Sequence, residues 1–393
     1  MHGIRLERAA RRVARASATA TAERVESALS EPRAVLRHVI ESISPASEAH
    51  TDGARANIAP ANAPVLARLA MRLAGAQHTA RPRAMRRVIV VAAGDHGCGD
   101  PGIAMGANHP TIIAARAIAE GGAALSQIAR ASGTSIVIVD AGAREATHMP
   151  AVAVRLGRGP SRDLMAEPAM TVIDAVLGLE AGIALAISLA EPREDRGGVP
   201  DARDADGPER PRGAELARRD APDADDRRSE RRGDELAILA LGAIGVGAEV
   251  ASAAILGAVS GWPPSGLGDD LAELAGARGA GMVGAGGVEI LAAFGGPETA
   301  VLAGLILGAA SLNAPVILDG HATGAAALIA AVLAPAVTGY LIAAHRGSFT
   351  HPRILAHLGL EPIFEVGLGH GEGTGAAMVL PLTDQVAAVT ARS

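Results

Sequence analysis

The sequence predicts an α/β fold built on an open parallel sheet, and three observations support this prediction. The stretch RRVIVVAAGDHG, at 86–97, has the pattern of a buried strand that runs into a glycine-containing loop. A helical pattern over 110–133 follows, and a second apolar strand, TSIVIVDAGA, begins at 134. Strand, loop, helix and strand at this spacing form a βαβ unit with parallel strands.

The remaining elements extend the same pattern. A helix is predicted at 61–77, before the first strand, and 234–261 has the order strand, glycine turn, helix. Two further segments, 314–334 and 338–345, add strands to the sheet. Ligands of open parallel sheets bind outside the carboxyl ends of the strands. Polar or glycine residues follow the apolar strands, so we expect one shared edge to carry Asp95, the glycine turn at 242–247, Asp319 and His345.

Three parts are predicted along the chain. Residues 1–60 form an N-terminal helical segment, and 61–190 with 235–393 form the α/β domain. Between them, 191–234 contains 25 charged residues out of 44. Such a segment cannot bury enough apolar surface to offset the entropy of ordering. We therefore expect a solvated, disordered insertion; a docking segment is the alternative.

Composition excludes several classes of function. Apolar residues make up 49% of the 393 residues but aromatic residues only 1%, which predicts a core of small aliphatic side chains and glycine. All basic residues are Arg, which excludes a lysine Schiff base and a P-loop lysine. The net charge of −6 and the scarcity of aromatic residues argue against a nucleic-acid partner. Cys98 is the single cysteine, which excludes an intramolecular disulfide and a cysteine-cluster zinc site. A metal site at Asp95 and His96 would need more ligands than Asp100 and His109 nearby, so no metal site is predicted.

One segment raises the question of a membrane. Residues 322–344 carry no charge and are long enough to span a bilayer. However, Pro335 interrupts the run, Ala and Gly dominate it, and aromatic residues do not flank both of its ends. A buried helix, a proline and a buried strand are the expected structure. The N-terminus lacks the apolar stretch of a signal peptide, so we expect a cytoplasmic protein with no membrane partner.

Two segments near the predicted sheet edge could carry chemistry. Asp95 and His96 directly follow a strand, where they form either a ligand-facing loop or a plain turn. Gly242, Gly245 and Gly247 precede a helix, and backbone N–H groups at such a helix start can hold a phosphate. Their spacing, G-x-x-G-x-G, is not the dinucleotide fingerprint, which disfavours an NAD-dependent oxidoreductase.

Two acids remain to be interpreted. Asp319, followed by Gly320, ends a strand, where it could bind ribose hydroxyls or cap the next helix. Glu372 lies in the glycine-rich stretch GEGTG, whose glycines would let a ligand approach closely. A partly desolvated carboxylate can act as a general base near neutral pH. The alternative is an acid that interacts with the dipole of the following helix.

Taken together, the segments resemble one family. In chain order these segments are GDHG, GGAALSQIAR, EPAMT, the glycine turn, GG-x-E, LDG, AHR and GLEPIFEVGLGHGEGTGAA. Their order and sequences resemble those of nicotinate-nucleotide–dimethylbenzimidazole phosphoribosyltransferases, which act in assembly of the lower ligand of cobalamin. The similarity runs from about residue 61 to the end and is interrupted by the charged insertion. It implies a Rossmann-like domain with a small helical domain from the chain ends, usually in a homodimer.

The resemblance also implies a reaction and a site. Phosphoribose would move from nicotinate mononucleotide to 5,6-dimethylbenzimidazole or a similar base, giving α-ribazole 5′-phosphate and nicotinate. Glu372 would be the general base, and no cofactor is implied. The candidate substrate-binding residues are Asp95, His96, Gly245, Gly247, Asp319, Gly320, His345, Gly371, Gly373 and Thr374.

The chain departs from the family at the glycine turn. The family's Gly-Glu-Met-Gly-Ile-Gly-Asn-Thr-Thr is here GAIGVGAEV, with Ala243 in place of the acid and Ala248, Glu249 and Val250 in place of Asn-Thr-Thr. Lost hydroxyls and a gained acid should weaken phosphate binding. Two interpretations stay open: a divergent transferase whose phosphate is held by Arg and backbone groups, or a non-catalytic or substrate-shifted paralogue that acts as a binding or regulatory subunit.

Overall fold

The computed structural model describes residues 34–57, 63–99, 102–157, 159–191, 236–262, 270–347, 350–369 and 371–391. The predicted insertion therefore lies outside the described residues apart from Glu191, as do the first 33 residues of the N-terminal segment. The boundaries proposed for the domains stay predictions.

Six parallel strands form one sheet. They are β1 (Arg87–Gly94), β2 (Ser135–Gly142), β3 (Val154–Arg155), β4 (Ile238–Ile244), β5 (Val316–Leu318) and β6 (Leu341–Ala343). Their spatial order is β3-β2-β1-β4-β5-β6, so the chain reverses its direction of travel across the sheet between β1 and β4. This is the doubly wound Rossmann order, which confirms the predicted fold class.

Thirteen α-helices are present in the described residues. In chain order they are α1 (34–42), α2 (Glu48–Asn57), α3 (Pro64–Ala76), α4 (Pro110–Ala119), α5 (Ala124–Ala131), α6 (Val172–Ala190), α7 (Ala248–Ser260), α8 (Asp270–Ala280), α9 (Gly287–Phe294), α10 (Pro297–Ser311), α11 (Gly320–Leu333), α12 (His351–His357) and α13 (Thr374–Thr390). The N-terminal helices α2 and α3 pack against the C-terminal helix α13, so both ends of the chain contribute to one helical layer.

The helical pattern over 110–133 was expected to form one helix, and the structure contains two. Helix α4 ends at Ala119, and α5 begins at Ala124. Gly121 between them has a φ of +84°, a conformation that ends a right-handed helix and that glycine adopts readily.

The sheet is buried on both faces. In β1, Val90 and Ala92 belong to the apolar cluster on one face, whereas Ile89 and Val91 belong to the cluster on the other. Strands covered on both sides are continuously apolar, as the sequence of β1 is.

Glycine brings two core helices into backbone contact, as the aromatic-poor composition suggested. A Cβ added to Gly182 of α6 would overlap the carbonyl oxygen of Val301, and one added to Gly304 of α10 would overlap that of Leu179. Helix α6 is also the one helix in the described residues that is long and apolar enough to cross a membrane by length and composition. It packs against α10 and α9 in the core. The uncharged run at 322–344 forms most of α11, the 3₁₀ turn Pro335–Tyr340 and β6, as expected.

The two ends of the undescribed segment 192–235 lie close to the same arginine. The Nη2 of Arg86 donates to the carbonyl oxygens of Leu189 at 3.3 Å and of Glu191 at 2.9 Å. The carbonyl oxygen of Arg86 accepts from the backbone N–H of Ala237 at 2.9 Å. Arg86 immediately precedes β1, so both ends are held at the amino edge of the sheet.

Glu180 of α6 predicts a pH-dependent stability. Burial raises the pKa of this carboxyl to about 7, although a backbone hydrogen bond from Leu36 offsets part of the effect. A carboxyl group with a raised pKa loses its proton more readily in the unfolded chain, so stability falls as the pH rises from about 4.5 to 7. Glu180→Gln should therefore raise the melting temperature by about 1–3 °C at pH 8 and by clearly less at pH 5.

Differential scanning fluorimetry at both pH values measures this effect. Glu41→Gln, an exposed change on α1, is the control and should alter the melting temperature equally little at both. An equal effect of Glu180→Gln at pH 5 and pH 8 would contradict the assigned cause.

Candidate active site

A cleft opens at the carboxyl edge of the sheet, beyond the end of β4 and next to β1. Its volume is about 140 Å³. Open α/β sheets bind their ligands at such a reversal point. The lining residues come from β4, the starts of four helices and the GEGTG loop: Pro110, Thr111, Ala114, Ala243, Ile244, Gly245, Ala248, Glu298, His321, Ala322, Gly371 and Glu372.

The GEGTG loop crosses the ends of β4 and β5 and brings Glu372 to the cleft. The carbonyl oxygen of Gly371 accepts from the backbone N–H of Ala243 at 2.9 Å, which fixes the loop on β4. Gly373 then adopts a φ of +102° and caps the start of α13. The side chain of Glu372 lines the cleft and is exposed. Its carboxylate is therefore accessible both to a ligand and to water. A general base at this position was expected to be partly shielded from water, and this chain alone does not shield it.

The glycines of the loop also allow close packing. They were expected to leave room for a ligand, which stays a prediction, and protein atoms fill the space where a Cβ of Gly371 or Gly375 would lie. A Cβ on Gly371 would overlap the backbone of Asp319, and one on Gly375 would overlap the ring of His345. The glycines therefore allow the loop to lie directly on the strand ends, which places Glu372 by backbone contact.

Asp319 holds the helix that follows the loop. Its Oδ2 accepts from the backbone N–H groups of Gly375 at 2.9 Å and Ala376 at 3.4 Å, and its Oδ1 pairs with Nε2 of His345 at 2.5 Å. Burial alone would lower the pKa of His345, but the hydrogen bond and the charge of Asp319 outweigh it and raise that pKa. The Asp319–His345 ion pair is fully buried, and it fixes the position from which Glu372 projects.

Asp95 connects the loops around the switch point. Its Oδ1 accepts from Oγ1 of Thr111 at 2.5 Å and from the backbone N–H of Val246 at 2.9 Å. Its Oδ2 accepts from the backbone N–H of Arg144 at 2.8 Å. Both oxygens of this buried carboxylate are thus used within the protein, which favours a structural role at the loop.

His96 forms a buried pair with Glu298. The distance between Nε2 of His96 and Oε1 of Glu298 is 2.9 Å. Burial would lower the pKa of His96, but the charge and hydrogen bond of Glu298, with the charge of Asp95, raise it. Burial would raise the pKa of Glu298, but His96 and the hydroxyl of Thr299 lower it. Each partner thus favours the charged form of the other.

The glycine turn after β4 is shaped by contact with the end of β1. A Cβ on Gly245 would overlap the carbonyl oxygen of Gly94, and Gly247 has a φ of +83° at the cap of α7. One N–H group of the turn, that of Val246, already donates to Asp95. Fewer backbone donors than the sequence suggested thus remain available for a phosphate.

Of the eleven candidate residues, three line the cleft. These are Glu372, Gly245 and Gly371. Four others are buried behind it: Asp95, His96, Asp319 and His345. The rest, Gly247, Gly320, Gly373 and Thr374, lie in the turns and helix starts around it. Their roles in binding stay predictions.

Comparison with known proteins gives a consistent result. A family model described as phosphoribosyltransferase matches residues 43–195 and 227–392. The nicotinate-nucleotide–dimethylbenzimidazole phosphoribosyltransferase of Roseiflexus sp. (strain RS-1) is 33% identical over 341 residues, 80% of this chain and 81% of the relative. That of Desulforudis audaxviator is 30% identical over 378 residues, 91% of this chain and 95% of the relative.

The chain belongs to the nicotinate-nucleotide–dimethylbenzimidazole phosphoribosyltransferase family. A crystal structure of the Thermus thermophilus member matches with a TM-score of 0.67 and 26% identity, over 88% of this chain and 96% of that one. The resemblance carried by the sequence motifs is confirmed.

Sequence reasoning missed three polar residues of the cleft. Thr111 is the second residue of α4, His321 follows the LDG segment, and Glu298 follows Gly-Gly-Pro at the start of α10. The GG-x-E pattern was a signal for Glu298, but it occurs twice, at 286–289 and 295–298. Only the folded chain distinguishes the two: Glu289 is exposed, and Glu298 lies in the cleft.

Gly242 should be intolerant of even a methyl group. A Cβ at this position would lie 2.5 Å from both the carbonyl oxygen of Glu372 and the backbone nitrogen of Gly373. Backbone atoms cannot rotate away as a side chain can, so Gly242→Ala should displace the loop. We expect the substitution to cost about 1–3 kcal/mol of stability and turnover to fall at least about tenfold, since small misplacements of catalytic groups are costly.

Gly369→Ala is the matched control, because a Cβ there meets no atom within 4 Å. Urea unfolding and steady-state kinetics on both variants test the prediction. Equal behaviour of the two would show that the contact between β4 and the loop does not position Glu372.

Proposed function

We propose that this chain transfers phosphoribose from nicotinate mononucleotide to 5,6-dimethylbenzimidazole or a similar base. The products are α-ribazole 5′-phosphate and nicotinate. The observation that carries the proposal is the carboxylate of Glu372 in the cleft at the switch point, on a loop fixed by β4 and by the Asp319–His345 pair. Family membership supports the same reaction.

The proposed chemistry needs one base and accurate positioning. The N–H proton of the benzimidazole passes to Glu372, and the other ring nitrogen forms a bond to C1′ of the ribose. The bond between C1′ and the pyridinium nitrogen breaks, and its electron pair leaves with nicotinate, so the configuration at C1′ inverts. The pyridinium is already a good leaving group, and the protein contributes orientation and removal of a proton. Because Glu372 is exposed, it can then release that proton to water.

The non-catalytic alternative gains no support from the comparisons. The altered glycine turn was its basis, yet the acid and the loop that carries it are intact and oriented into the cleft. We further propose that the protein acts in the cytoplasm as a homodimer; light scattering coupled to size-exclusion chromatography tests the oligomeric state.

The deciding experiment is an assay of product formation. Purified protein is incubated with nicotinate mononucleotide and dimethylbenzimidazole, and α-ribazole 5′-phosphate is sought by mass spectrometry. Reactions that lack either substrate are the controls. Formation of the product supports the proposal, and its absence at high enzyme concentration would overturn it.

A further inference from the structure

Glu298 brings a second carboxylate into the cleft. It is the second residue of α10, its side chain is 1% exposed, and it lines the cleft together with Glu372. Gly94 at the end of β1 makes room for it, because a Cβ there would lie 2.5 Å from Oε2 of Glu298. The neighbouring end of β4 carries Ala243, whose side chain has no polar atom.

The two oxygens of Glu298 have different surroundings. Oε1 accepts from Nε2 of His96 at 2.9 Å and from Oγ1 of Thr299 at 2.7 Å. Oε2 is buried and has no hydrogen-bond partner among the described residues. A buried carboxylate oxygen without a donor is costly, so native proteins usually satisfy such an atom. This oxygen therefore indicates a hydrogen-bond donor that arrives with a ligand.

The substrates of the proposed reaction offer few donors. The phosphate and the carboxylate of nicotinate mononucleotide are anions, which the charge of Glu298 repels. The pyridinium nitrogen carries no hydrogen, and the single N–H of the benzimidazole is the proton assigned to Glu372. The hydroxyl groups of the ribose are the donors that remain.

We propose that Oε2 of Glu298 accepts a hydrogen bond from a ribose hydroxyl of the nucleotide substrate, and so makes the site selective for ribose over deoxyribose. This inference rests on the proposed function. The pair with His96 and the hydroxyl of Thr299 hold Oε1, and this leaves Oε2 in a fixed position for the sugar. Because Glu298 is charged and shielded from water, a hydrogen bond to its carboxylate is stronger than one between neutral groups.

Substrate analogues and Glu298→Gln together test the proposal. Steady-state kinetics compare nicotinate mononucleotide with its 2′-deoxy and 3′-deoxy analogues. In the wild-type protein, loss of the recognised hydroxyl should lower kcat/KM about 10- to 100-fold. In Glu298→Gln, kcat/KM for the ribose substrate should fall by a similar factor. For this variant, kcat/KM for the analogue that lacks the recognised hydroxyl should be less than about threefold below its kcat/KM for the ribose substrate.

Glu289→Gln is the matched control, because it changes the exposed acid of the other GG-x-E segment. It should keep the wild-type preference for ribose. Thermal unfolding and calorimetric binding of dimethylbenzimidazole establish that each variant is folded. If Glu298→Gln does not fold, Glu298→Asp replaces it; the shorter side chain keeps the charge opposite His96 and should show the same loss of preference.

The outcomes separate this inference from the proposed function. Equal losses on ribose and both deoxy substrates, or no loss at all, would overturn the role of Glu298 while product formation upholds the function. If the wild-type protein forms no product, the function fails, and the Kd values of the nucleotide and its analogues are measured by calorimetry. Affinities that do not depend on Glu298 would then overturn this inference as well.

Discussion

Replacing Glu372 with Gln is expected to lower kcat for α-ribazole 5′-phosphate formation about 10²- to 10⁴-fold. Glutamine has nearly the same shape, but its amide cannot accept the benzimidazole proton. The side chain is exposed and the loop is held through the backbone of Gly371, so the melting temperature should change by less than about 1 °C. KM for the nucleotide should change little, because the reaction uses this carboxylate for proton removal.

Glu365→Gln is the matched control for this prediction. Glu365 is an exposed acid seven residues earlier in the chain, and it pairs with Arg346 at 3.0 Å. Exposed pairs of this kind contribute about 1 kcal/mol or less, so kcat and stability should both stay near the wild-type values. Turnover by Glu372→Gln at the wild-type rate would remove Glu372 from the mechanism.

Asp319→Asn is the second substitution from which a large effect is expected, and it should lower both stability and turnover. An amide cannot accept hydrogen bonds from His345 and from the N–H groups of Gly375 and Ala376 without turning its own donor toward one of them. Breaking a buried ion pair typically costs about 3–5 kcal/mol. Because His345 can lose its proton in the variant, we expect a loss of about 2–4 kcal/mol. Turnover should fall about tenfold or more as the loop shifts.

The pH dependence of this loss has a defined sign. Asp319 raises the pKa of His345, so the stability that the pair contributes is fully present below the ordinary histidine value of about 6.5 and is lost as the pH rises through the raised pKa. The difference between wild type and variant should therefore be largest near pH 6 and smaller at alkaline pH.

Urea unfolding across this range measures the difference. Asp384→Asn, which removes an exposed partner of Arg87, is the control and should cost about 1 kcal/mol or less. A destabilised Asp319→Asn variant with unchanged turnover would show that the pair supports the fold without positioning Glu372.

The sequence was sufficient for the fold class and for five of the six strands, because these strands are apolar and are followed by polar or glycine residues; the two-residue strand β3 was not predicted. Asp95, the turn at 242–247, Asp319 and His345 all lie at the carboxyl edge, as expected of residues that follow parallel strands. Local pattern was less informative about the helical segment at 110–133, where a glycine conformation divides the helix at Gly121. A pattern of apolar residues continues through such a break.

The internal connections of the site could not be predicted from the sequence. Glu298 meets His96 across 202 positions in the chain, and nothing in either segment indicates the other. The contacts of the loop glycines could not be predicted either, because their sequence indicates only space for a ligand. Their contacts with Asp319 and His345 depend on how closely β4 and β5 lie beneath the loop. Such distances are set by tertiary packing, which propensity and periodicity do not encode.

The hydrogen bonds of Arg86 mark a position where the length of the chain can change far from the active-site cleft. Arg86 contacts both Glu191 and Ala237, which stand on either side of the segment outside the described residues, and it lies on the side of the sheet away from Glu372. The entropy of closing a flexible loop grows only with the logarithm of its length, by about 0.6 kcal/mol per doubling. Because the two flanking residues are held close together, the number of residues between them can change without moving either of them. In protein engineering, a reporter domain or an immobilisation tag is therefore best inserted at this position.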